Sequence, residues 1–183
     1  MGVKTSVFIA TSLDGFIART DGSIDWLDKA NTRVPRGEDC GYRAFFDSVD
    51  VLVMGRHTFE LALTFAAWPY ADKRVVVLSN KAIIIPQPIA KTVSCVSASP
   101  SNVVPLLSSQ GAKHLYVDGG ITIQRFLDAG LIDEITITII PVLLGKGKPL
   151  FGPLSKDIAL THISTRIFDF GFVQNKYRCE RTL

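Results

Sequence analysis

The segment Val51–Glu60 (Val-Leu-Val-Met-Gly-Arg-His-Thr-Phe-Glu) constrains the fold most, because it reads as a buried strand that runs into a helix. Its first four residues are all apolar, as expected of a strand that is covered on both faces of a parallel sheet. Gly55 can turn the backbone without a Cβ, and Thr58–Glu60 predicts the start of a helix. Such a turn presents free N–H groups and a positive dipole end, where an anion can bind. Arg56 adds a guanidinium suited to phosphate, although an ordinary surface arginine explains this segment equally well.

The rest of the chain repeats this strand-and-helix pattern and then changes character. Strands are predicted at Lys4–Ala10, Arg74–Leu78, Thr92–Val96 and His114–Val117, and helices at Gly41–Ser48, Glu60–Phe65, Asn102–Ser109 (interrupted by Pro105) and after Gly120. Loops are predicted at Thr20–Ser23, closed by Ile24, Trp26 and Leu27, and at the polar segment Asn31–Asp39. Glu134–Ile140 alternates Ile with Thr, as a half-exposed strand does, and Ile158–Phe168 with Phe172–Cys179 predicts a hairpin. We therefore predict an α/β fold in which residues 1–183 form a single domain. It has a mixed, mainly parallel sheet flanked by helices, with an antiparallel C-terminal hairpin.

Composition excludes several classes of protein. The 183 residues are 47% hydrophobic with a net charge of +3, so neither a disordered chain nor a strong electrostatic field for nucleic acid is indicated. No apolar run reaches membrane-spanning length, and the N-terminus lacks the features of a signal peptide. Cys40, Cys95 and Cys179 match neither a disulfide framework nor a metal motif, so we expect free thiols in a reducing cytoplasm. The three histidines are too dispersed to predict a metal site.

Two further turns resemble the one after Val51–Met54. Ser79-Asn80-Lys81 follows one predicted strand, and Asp118-Gly119-Gly120 follows another. Because ligands of open α/β sheets bind beyond the carboxyl ends of the strands, three such turns on one edge can hold a long, multiply phosphorylated ligand. The two glycines would let the backbone approach a pyrophosphate, although a tight packing turn is the alternative. The chain has neither the G-x-G-x-x-G fingerprint nor a P-loop.

Four carboxylates are candidates for acid–base chemistry. Asp14 lies at the end of the first strand, but an aspartate before Gly15 also serves as a turn residue. Glu38 and Asp39 precede a predicted helix, where a carboxylate can simply cap free N–H groups. Asp118 is the fourth. Aromatic side chains, among them Trp26, Trp68 and those of Gly41–Ser48 such as Tyr42, can wall a flat heterocycle, but core packing explains most of them equally well.

The order of these motifs resembles the dihydrofolate reductase fold. The residues that carry the resemblance are Ser12–Ala18 (Ser-Leu-Asp-Gly-Phe-Ile-Ala), Met54–Phe59, Ser79-Asn80 and Val117–Gly120. The Leu-Asp-Gly turn and the segment Pro141–Phe151 are similar, more closely, to the reductase domain of bifunctional riboflavin-biosynthesis deaminase/reductases and its stand-alone relatives. The resemblance covers nearly the whole chain.

This resemblance implies NADPH as the hydride donor. It implies that Ala10 and Ile17 hold the nicotinamide carboxamide through backbone groups, and that Trp26 borders the substrate. The other residues it implies for the cofactor are Gly55, Arg56, His57 and Thr58 for phosphate and adenosine ribose, Leu78, Ser79, Asn80 and Lys81 for the adenosine and its 2′-phosphate, and Gly119, Gly120 and Thr122 for the pyrophosphate.

The chain departs from both relatives. Folate enzymes carry a carboxylate on a helix a few residues after the tryptophan, whereas a loop is predicted here, which leaves Glu38 or Asp39 as counterparts. The zinc deaminase motifs of the bifunctional riboflavin enzymes are absent. We thus expect a cytoplasmic NADPH-dependent reductase that transfers hydride to a small heterocyclic substrate, similar to 5-amino-6-ribosylaminouracil phosphate or a dihydropterin. The alternatives are a non-catalytic NADP(H)-binding module and a purely structural dimerisation domain.

Two finer expectations concern cofactor choice and assembly. NADPH is expected over NADH because the turns at Gly55–Thr58 and Ser79–Lys81 offer Arg56 and Lys81 and no acidic residue for ribose hydroxyls. The alternative is that Arg56 only forms an ion pair with Glu60, four residues later in the same helix. A homodimer is expected because the loop Pro141–Phe151 is more apolar than an exposed loop needs to be, unless it packs within the monomer.

Overall fold

The computed structural model describes residues 2–180, and its elements follow the predicted alternation. In chain order they are β1 (Lys4–Ser12), β2 (Phe16–Ala18), α1 (Asp25–Asn31), α2 (Tyr42–Asp47), β3 (Val51–Gly55), α3 (Arg56–Ala62), β4 (Arg74–Leu78), a short 3-10 helix (Gln87–Ile89), β5 (Val93–Val96), α4 (Pro100–Ser109), β6 (His114–Asp118), α5 (Gly120–Asp128), β7 (Glu134–Ile140), β8 (Lys148–Pro149), β9 (Leu160–Ile167) and β10 (Val173–Cys179).

The main sheet has eight strands in the order β5-β4-β3-β6-β1-β7-β10-β9. The pairs from β5 through to β7 are parallel, whereas β10 lies antiparallel to both β7 and β9. This arrangement confirms the predicted α/β fold with a mixed, mainly parallel sheet and an antiparallel C-terminal hairpin. Strands β2 and β8 form a separate antiparallel pair, which the sequence pattern did not predict.

Burial on both faces explains the continuous apolar runs of the central strands. On one face Val53, Val76 and Val117 pack against α4 and α5. Phe126 of α5 is completely buried in this layer. On the other face the neighbouring residues of the same strands, such as Met54, pack against α2 and α3. Because successive strand residues point to opposite faces, only a run without polar residues satisfies both layers.

A helix that was not predicted lies between the predicted loops Thr20–Ser23 and Asn31–Asp39. Asp25–Asn31 forms helix α1, with Asp25 and Asp28 in its first turn and Lys29 in its last turn, as the helix dipole favours. The predicted break at Pro105 is also wrong, because α4 runs from Pro100 to Ser109 with that proline inside it. α3 ends at Ala62, three residues before the predicted end.

The loop Pro141–Phe151 packs mainly within the monomer. Leu150 is completely buried in the core, and Val142 and Leu144 pack against the cluster around Phe168. Of its larger apolar residues, Leu143 and Phe151 stay exposed. The monomer therefore accounts for most of the apolar character that suggested a dimer.

Strand β9 exposes more apolar surface than the loop Pro141–Phe151 does. All eight of its residues are exposed, and Leu160, Ile163 and Ile167 are 45%, 43% and 79% accessible. The strand forms an edge of the sheet, where unpaired backbone groups are also available. Within residues 2–180, no helix has the length and apolar character needed to cross a membrane.

Candidate functional site

The residues implied for the cofactor lie at the carboxyl ends of four neighbouring strands. The sheet order places β4, β3, β6 and β1 side by side, and these strands are parallel. The turns Gly55–Thr58, Ser79–Lys81 and Asp118–Gly120 therefore share one edge with Ala10. We call this edge, formed by the ends of β4, β3, β6 and β1 and the turns that follow them, the carboxyl edge.

Close packing joins several of these residues to one another. A Cβ on Gly55 would lie 2.8 Å from the Thr122 hydroxyl, and one on Gly119 would overlap the Thr58 hydroxyl. A Cβ on Gly120 would lie 3.0 Å from Ile17 Cδ1. Gly119 also has φ +91°, which strains other residues. The packing alternative explains why these positions are glycine, and the same contacts bring the turns after β3 and β6 together with β2.

The helix starts at this edge suit an anionic ligand. Helices α3 and α5 begin at Arg56 and Gly120, and within residues 2–180 no side chain caps their first N–H groups. Free N–H groups at a helix start need a partner, and a phosphate group supplies one. The residues present thus fit the pyrophosphate of a dinucleotide.

Arg56 is engaged by its own helix. Its Nη1 lies 2.8 Å from a carboxylate oxygen of Glu60, and its Nη2 lies 3.1 Å from Nε2 of His57. This is the i,i+4 pair that was considered as the alternative to phosphate binding. The Ser79 hydroxyl closes its own turn by accepting from Lys81 N (3.0 Å) and donating to Lys81 O (2.8 Å), while Asn80 is exposed.

Asp14 holds a distant loop. Its carboxylate accepts hydrogen bonds from Gly145 N (2.7 Å) and Leu144 N (3.1 Å), and from the hydroxyl of Ser12 (2.6 Å). The bond from Ser12 lowers the pKa of Asp14 most, and the two backbone bonds lower it further. An ionised carboxylate that already accepts several bonds suits the loop connection better than proton donation.

Glu38 and Asp39 hold the chain before α2. Asp39 accepts from Gly41 N (2.8 Å) and Arg43 N (3.0 Å), and these bonds lower its pKa. Glu38 accepts from Cys40 N at 2.6 Å. Asp39 therefore has the capping geometry that was the alternative to catalysis, and Glu38 holds the turn just before the helix. Asp28, which lies on α1 two residues after Trp26, is exposed.

Asp118 differs from these carboxylates, and sequence reasoning did not single it out from them. It is half-buried at the end of β6. Its carboxylate accepts a hydrogen bond from Gly119 N (2.8 Å), which lowers its pKa, but burial has the larger effect and raises the pKa to about 6. Burial raises the pKa of Tyr42, and the charge of Asp118 raises it further. The only signal in the sequence was a carboxylate between a buried strand and two glycines.

The two aromatic residues implied for the substrate lie in different clusters. Trp26 is 4% exposed and packs against Ile140 and Phe172, with its indole N–H buried and unpartnered among the described residues. Tyr42 packs edge-on against Phe8 with ring centroids 5.6 Å apart. Tyr42 is thus the aromatic candidate that lies near Asp118.

A metal site finds no support in the part of the chain described. Residues 2–180 contain no group of three or more His, Cys, Asp and Glu side chains placed to hold a metal ion. Cys40, Cys95 and Cys179 are free thiols.

A family model for the RibD C-terminal domain matches residues 4–173. The chain belongs to this family. Protein YwjB of Bacillus subtilis (strain 168) is 34% identical over 168 residues, which cover 90% of this chain and 92% of YwjB. A Shewanella sp. PV-4 protein assigned by name to riboflavin biosynthesis is 41% identical. Its crystal structure has a TM-score of 0.90, and the match covers 99% of this chain and all of that one.

More distant structures show the fold of the family. A Thermotoga maritima diaminohydroxyphosphoribosylaminopyrimidine deaminase/5-amino-6-(5-phosphoribosylamino)uracil reductase has 14% identity and a TM-score of 0.74, over 98% of this chain and 57% of that one. Dihydrofolate reductase from Enterococcus faecalis, complexed with NADP(H), has 13% identity and a TM-score of 0.64, over 98% and 99% of the two chains. The chain therefore has the dihydrofolate reductase-like fold of the RibD C-terminal domain family.

The contacts of Asp14 predict a local effect on the loop that it holds. In Asp14→Ala, the amides of Leu144 and Gly145 lose their acceptor, so both should exchange with deuterium faster than in the wild type. Hydrogen–deuterium exchange with mass spectrometry measures this directly. Asp21→Ala is the control, because Asp21 accepts from Ser23 N in a different turn. Equal exchange of the two amides in all three proteins would contradict the role of Asp14.

Proposed function

We propose that this protein is an NADPH-dependent reductase that transfers hydride to a C=N or C=O bond of a small heterocyclic substrate. The observation that carries the proposal is the carboxyl edge, where four parallel strands bring the implied cofactor residues together beside uncapped helix starts. Membership of the RibD C-terminal domain family supports it. The names of the Shewanella and Thermotoga proteins favour a substrate similar to 5-amino-6-ribosylaminouracil phosphate, and the folate enzyme favours a dihydropterin.

Different residues of the carboxyl edge would bind different parts of the cofactor. Gly119, Gly120 and Thr122 would meet the pyrophosphate at the start of α5, and backbone groups of Ala10 and Ile17 would orient the nicotinamide. When bound, NADPH supplies the hydride, while the protein positions the reacting groups and excludes water.

Asp118 would supply the proton. A carboxyl whose pKa is about 6 is partly protonated near neutral pH, so it can serve as a general acid. Tyr42 would lie beside the same substrate, since its pKa responds to the charge of Asp118. This assignment replaces Asp14, Glu38 and Asp39, whose carboxylates hold backbone N–H groups.

Arg56 would turn from Glu60 to the 2′-phosphate when NADPH binds. The pair with Glu60 is partly exposed, with side chains 33% and 49% accessible, and such pairs contribute about 0.3–0.5 kcal/mol. A charge-assisted hydrogen bond to phosphate contributes roughly 1.5–3 kcal/mol. The phosphate contact therefore outweighs the pair, and Lys81 would add a second positive charge.

The first prediction for this function concerns cofactor choice. Arg56→Ala should weaken NADPH binding by about tenfold to over a hundredfold and leave NADH nearly unchanged, because NADPH alone has the 2′-phosphate. Titration of both dinucleotides into each protein measures the two dissociation constants. Glu60→Gln is the control, since it frees Arg56 and should not weaken NADPH. Equal losses of NADPH and NADH in Arg56→Ala would mean that Arg56 does not recognise the 2′-phosphate.

The second prediction concerns the proton donor. With pterin, pyrimidine or quinone substrates, kcat/KM for NADPH oxidation should be constant below about pH 6 and fall above it, because Asp118 must be protonated. Asp118→Asn should lower the rate and abolish this pH dependence, whereas Asp39→Asn should keep it. NADPH binding without oxidation of any of these substrates would favour the non-catalytic NADP(H)-binding module instead.

The pKa of Asp118 also has a test without substrate. A carboxyl whose pKa rises from 3.8 to about 6 on folding favours the folded state below pH 3.8, and this contribution is lost as pH rises through 6. The loss is at most about 3 kcal/mol, and less because the side chain is partly exposed. Urea unfolding between pH 4 and 7 should therefore show a decline for the wild type that Asp118→Asn lacks. Parallel profiles would exclude the raised pKa.

We further propose that the protein is a homodimer joined through β9. Its exposed Leu160, Ile163 and Ile167 lie on a sheet edge, and two-fold dimers are the commonest oligomers. Light scattering at micromolar concentration should give twice the chain mass of 20.0 kDa. Ile163→Lys should give the monomer mass, and Leu143→Lys, in the loop Pro141–Phe151, should not. A single-chain mass for the wild type would contradict a stable dimer.

A further inference from the structure

Two neighbouring strands of the main sheet separate before they reach the carboxyl edge. Within residues 2–180, β1 and β6 pair over three residues each, and the last of these are Ser6 and Tyr116. Beyond that point β1 continues beside β7 as far as Ser12, and β6 continues beside β3 as far as Asp118. The two strands therefore leave a gap that opens at the carboxyl edge, and we call it the β1–β6 gap.

One face of the β1–β6 gap carries both groups that the proposed reaction needs. Phe8 of β1 and Tyr116 of β6 pack in the same apolar cluster, on the side of the sheet that carries α2. Because alternate residues of a strand share a face, Ala10 and Asp118 lie on that side as well. The residue proposed to orient the nicotinamide and the proposed proton donor thus lie on opposite sides of the gap.

Tyr116 joins the two strands at the closed end of the gap. Its hydroxyl donates to the carbonyl oxygen of Phe8 at 2.8 Å, where the ladder between β1 and β6 has already ended. The residue is 5% exposed, and its ring packs edge-on against Phe45 and Tyr42, with centroids 5.0 and 6.5 Å away. This packing fixes the ring, so the hydroxyl holds β1 at a set position relative to β6.

The Tyr116 hydroxyl does not serve as an acid or a base. Burial raises its pKa well above the ordinary value, and the charge of Asp118 raises it further, followed by those of Tyr42 and Tyr70. The hydroxyl therefore keeps its proton near neutral pH, and it donates that proton to the carbonyl oxygen of Phe8. Its effect on a reaction in the gap is mechanical, through the position of β1.

We infer that Tyr116 is a positioning residue for the reduction, because its hydroxyl sets the spacing across the β1–β6 gap between Ala10 and Asp118. The inference rests on the proposed function, which assigns the nicotinamide to Ala10 and the proton to Asp118. In that reaction NADPH is oxidised to NADP⁺, hydride adds to the carbon of a C=N or C=O bond, and the proton adds to its nitrogen or oxygen. Both donors must reach one double bond, and a misplacement of about 1 Å can lower a rate by roughly a hundredfold.

Amide hydrogen exchange of the free protein tests the bond itself. In Tyr116→Phe the ring stays but the carbonyl of Phe8 loses its donor, so the amides of residues 8–11 should exchange about two- to tenfold faster. The amides of residues 52–54 in β3 should exchange as in the wild type. Tyr177→Phe is the matched control, because it removes a hydroxyl from β10, where the ring of Tyr177 packs against His162. Unchanged exchange at residues 8–11 would overturn the inference.

Single-turnover oxidation of bound NADPH, with the substrates named above, tests the effect on the reaction. Tyr116→Phe should lower the rate of this step by about tenfold or more, and Tyr177→Phe should not. The dissociation constant of NADPH should change by less than about twofold, because the phosphate contacts lie at the starts of α3 and α5. The pH at which the rate falls should stay near 6, since Asp118 still donates the proton. Equal losses of rate and of NADPH affinity would indicate a merely structural role and would overturn the inference.

The fluorescence of bound NADPH gives a second measurement that needs no turnover. The emission of a reduced nicotinamide responds to its surroundings, so it should shift in Tyr116→Phe and stay unchanged in Tyr177→Phe. Emission and single-turnover rates that match those of the wild type in Tyr116→Phe would overturn this inference and leave the proposed function standing. A wild-type protein that does not bind NADPH would overturn the proposed function, and the inference with it.

Discussion

The parallel pairing of β4, β3, β6 and β1 is the constraint on which the rest of the structure depends. Each strand has a central run of residues that is buried on both faces, and burying a Val or Leu side chain contributes about 1.5–3 kcal/mol relative to leaving it exposed. A slip by one residue would exchange the two layers of the core, so the register is strongly determined. Four carboxyl ends therefore lie side by side, and the turns that follow them all lie at the same edge of the sheet.

The same pairing explains why the turns need glycine. The side chains of Thr58 and Thr122 lie where a Cβ of Gly119 or Gly55 would be, so the turns after β3 and β6 interlock. This packing leaves backbone N–H groups of α3 and α5 free at the surface of the edge. A requirement of packing and a binding property thus arise from the same few residues, and glycine at these positions does not by itself distinguish between them.

The features that could be predicted from the sequence are those that depend on a local pattern of residues. Arg74–Leu78 and Glu134–Ile140 are strands with the predicted bounds, because an apolar run and an Ile/Thr alternation are complete signals on their own. Helix α1 was missed because seven residues are too few to establish a helical period. The role of Asp14 depends on backbone groups 130 residues away, and the pKa of Asp118 depends on what surrounds it. Such long-range contacts leave no mark on the local sequence, so the choice among four carboxylates required the structure.

The central claim is that the carboxyl edge binds NADPH, and amide hydrogen exchange with and without NADPH tests it most directly. Protection should appear at Gly55–Thr58, Ser79–Lys81 and Gly119–Thr122, which lie on three neighbouring strand ends. It should be absent from the last turn of α4, which leads into the amino end of β6. Protection confined to that turn of α4, or no protection at a saturating concentration of NADPH, would contradict the account.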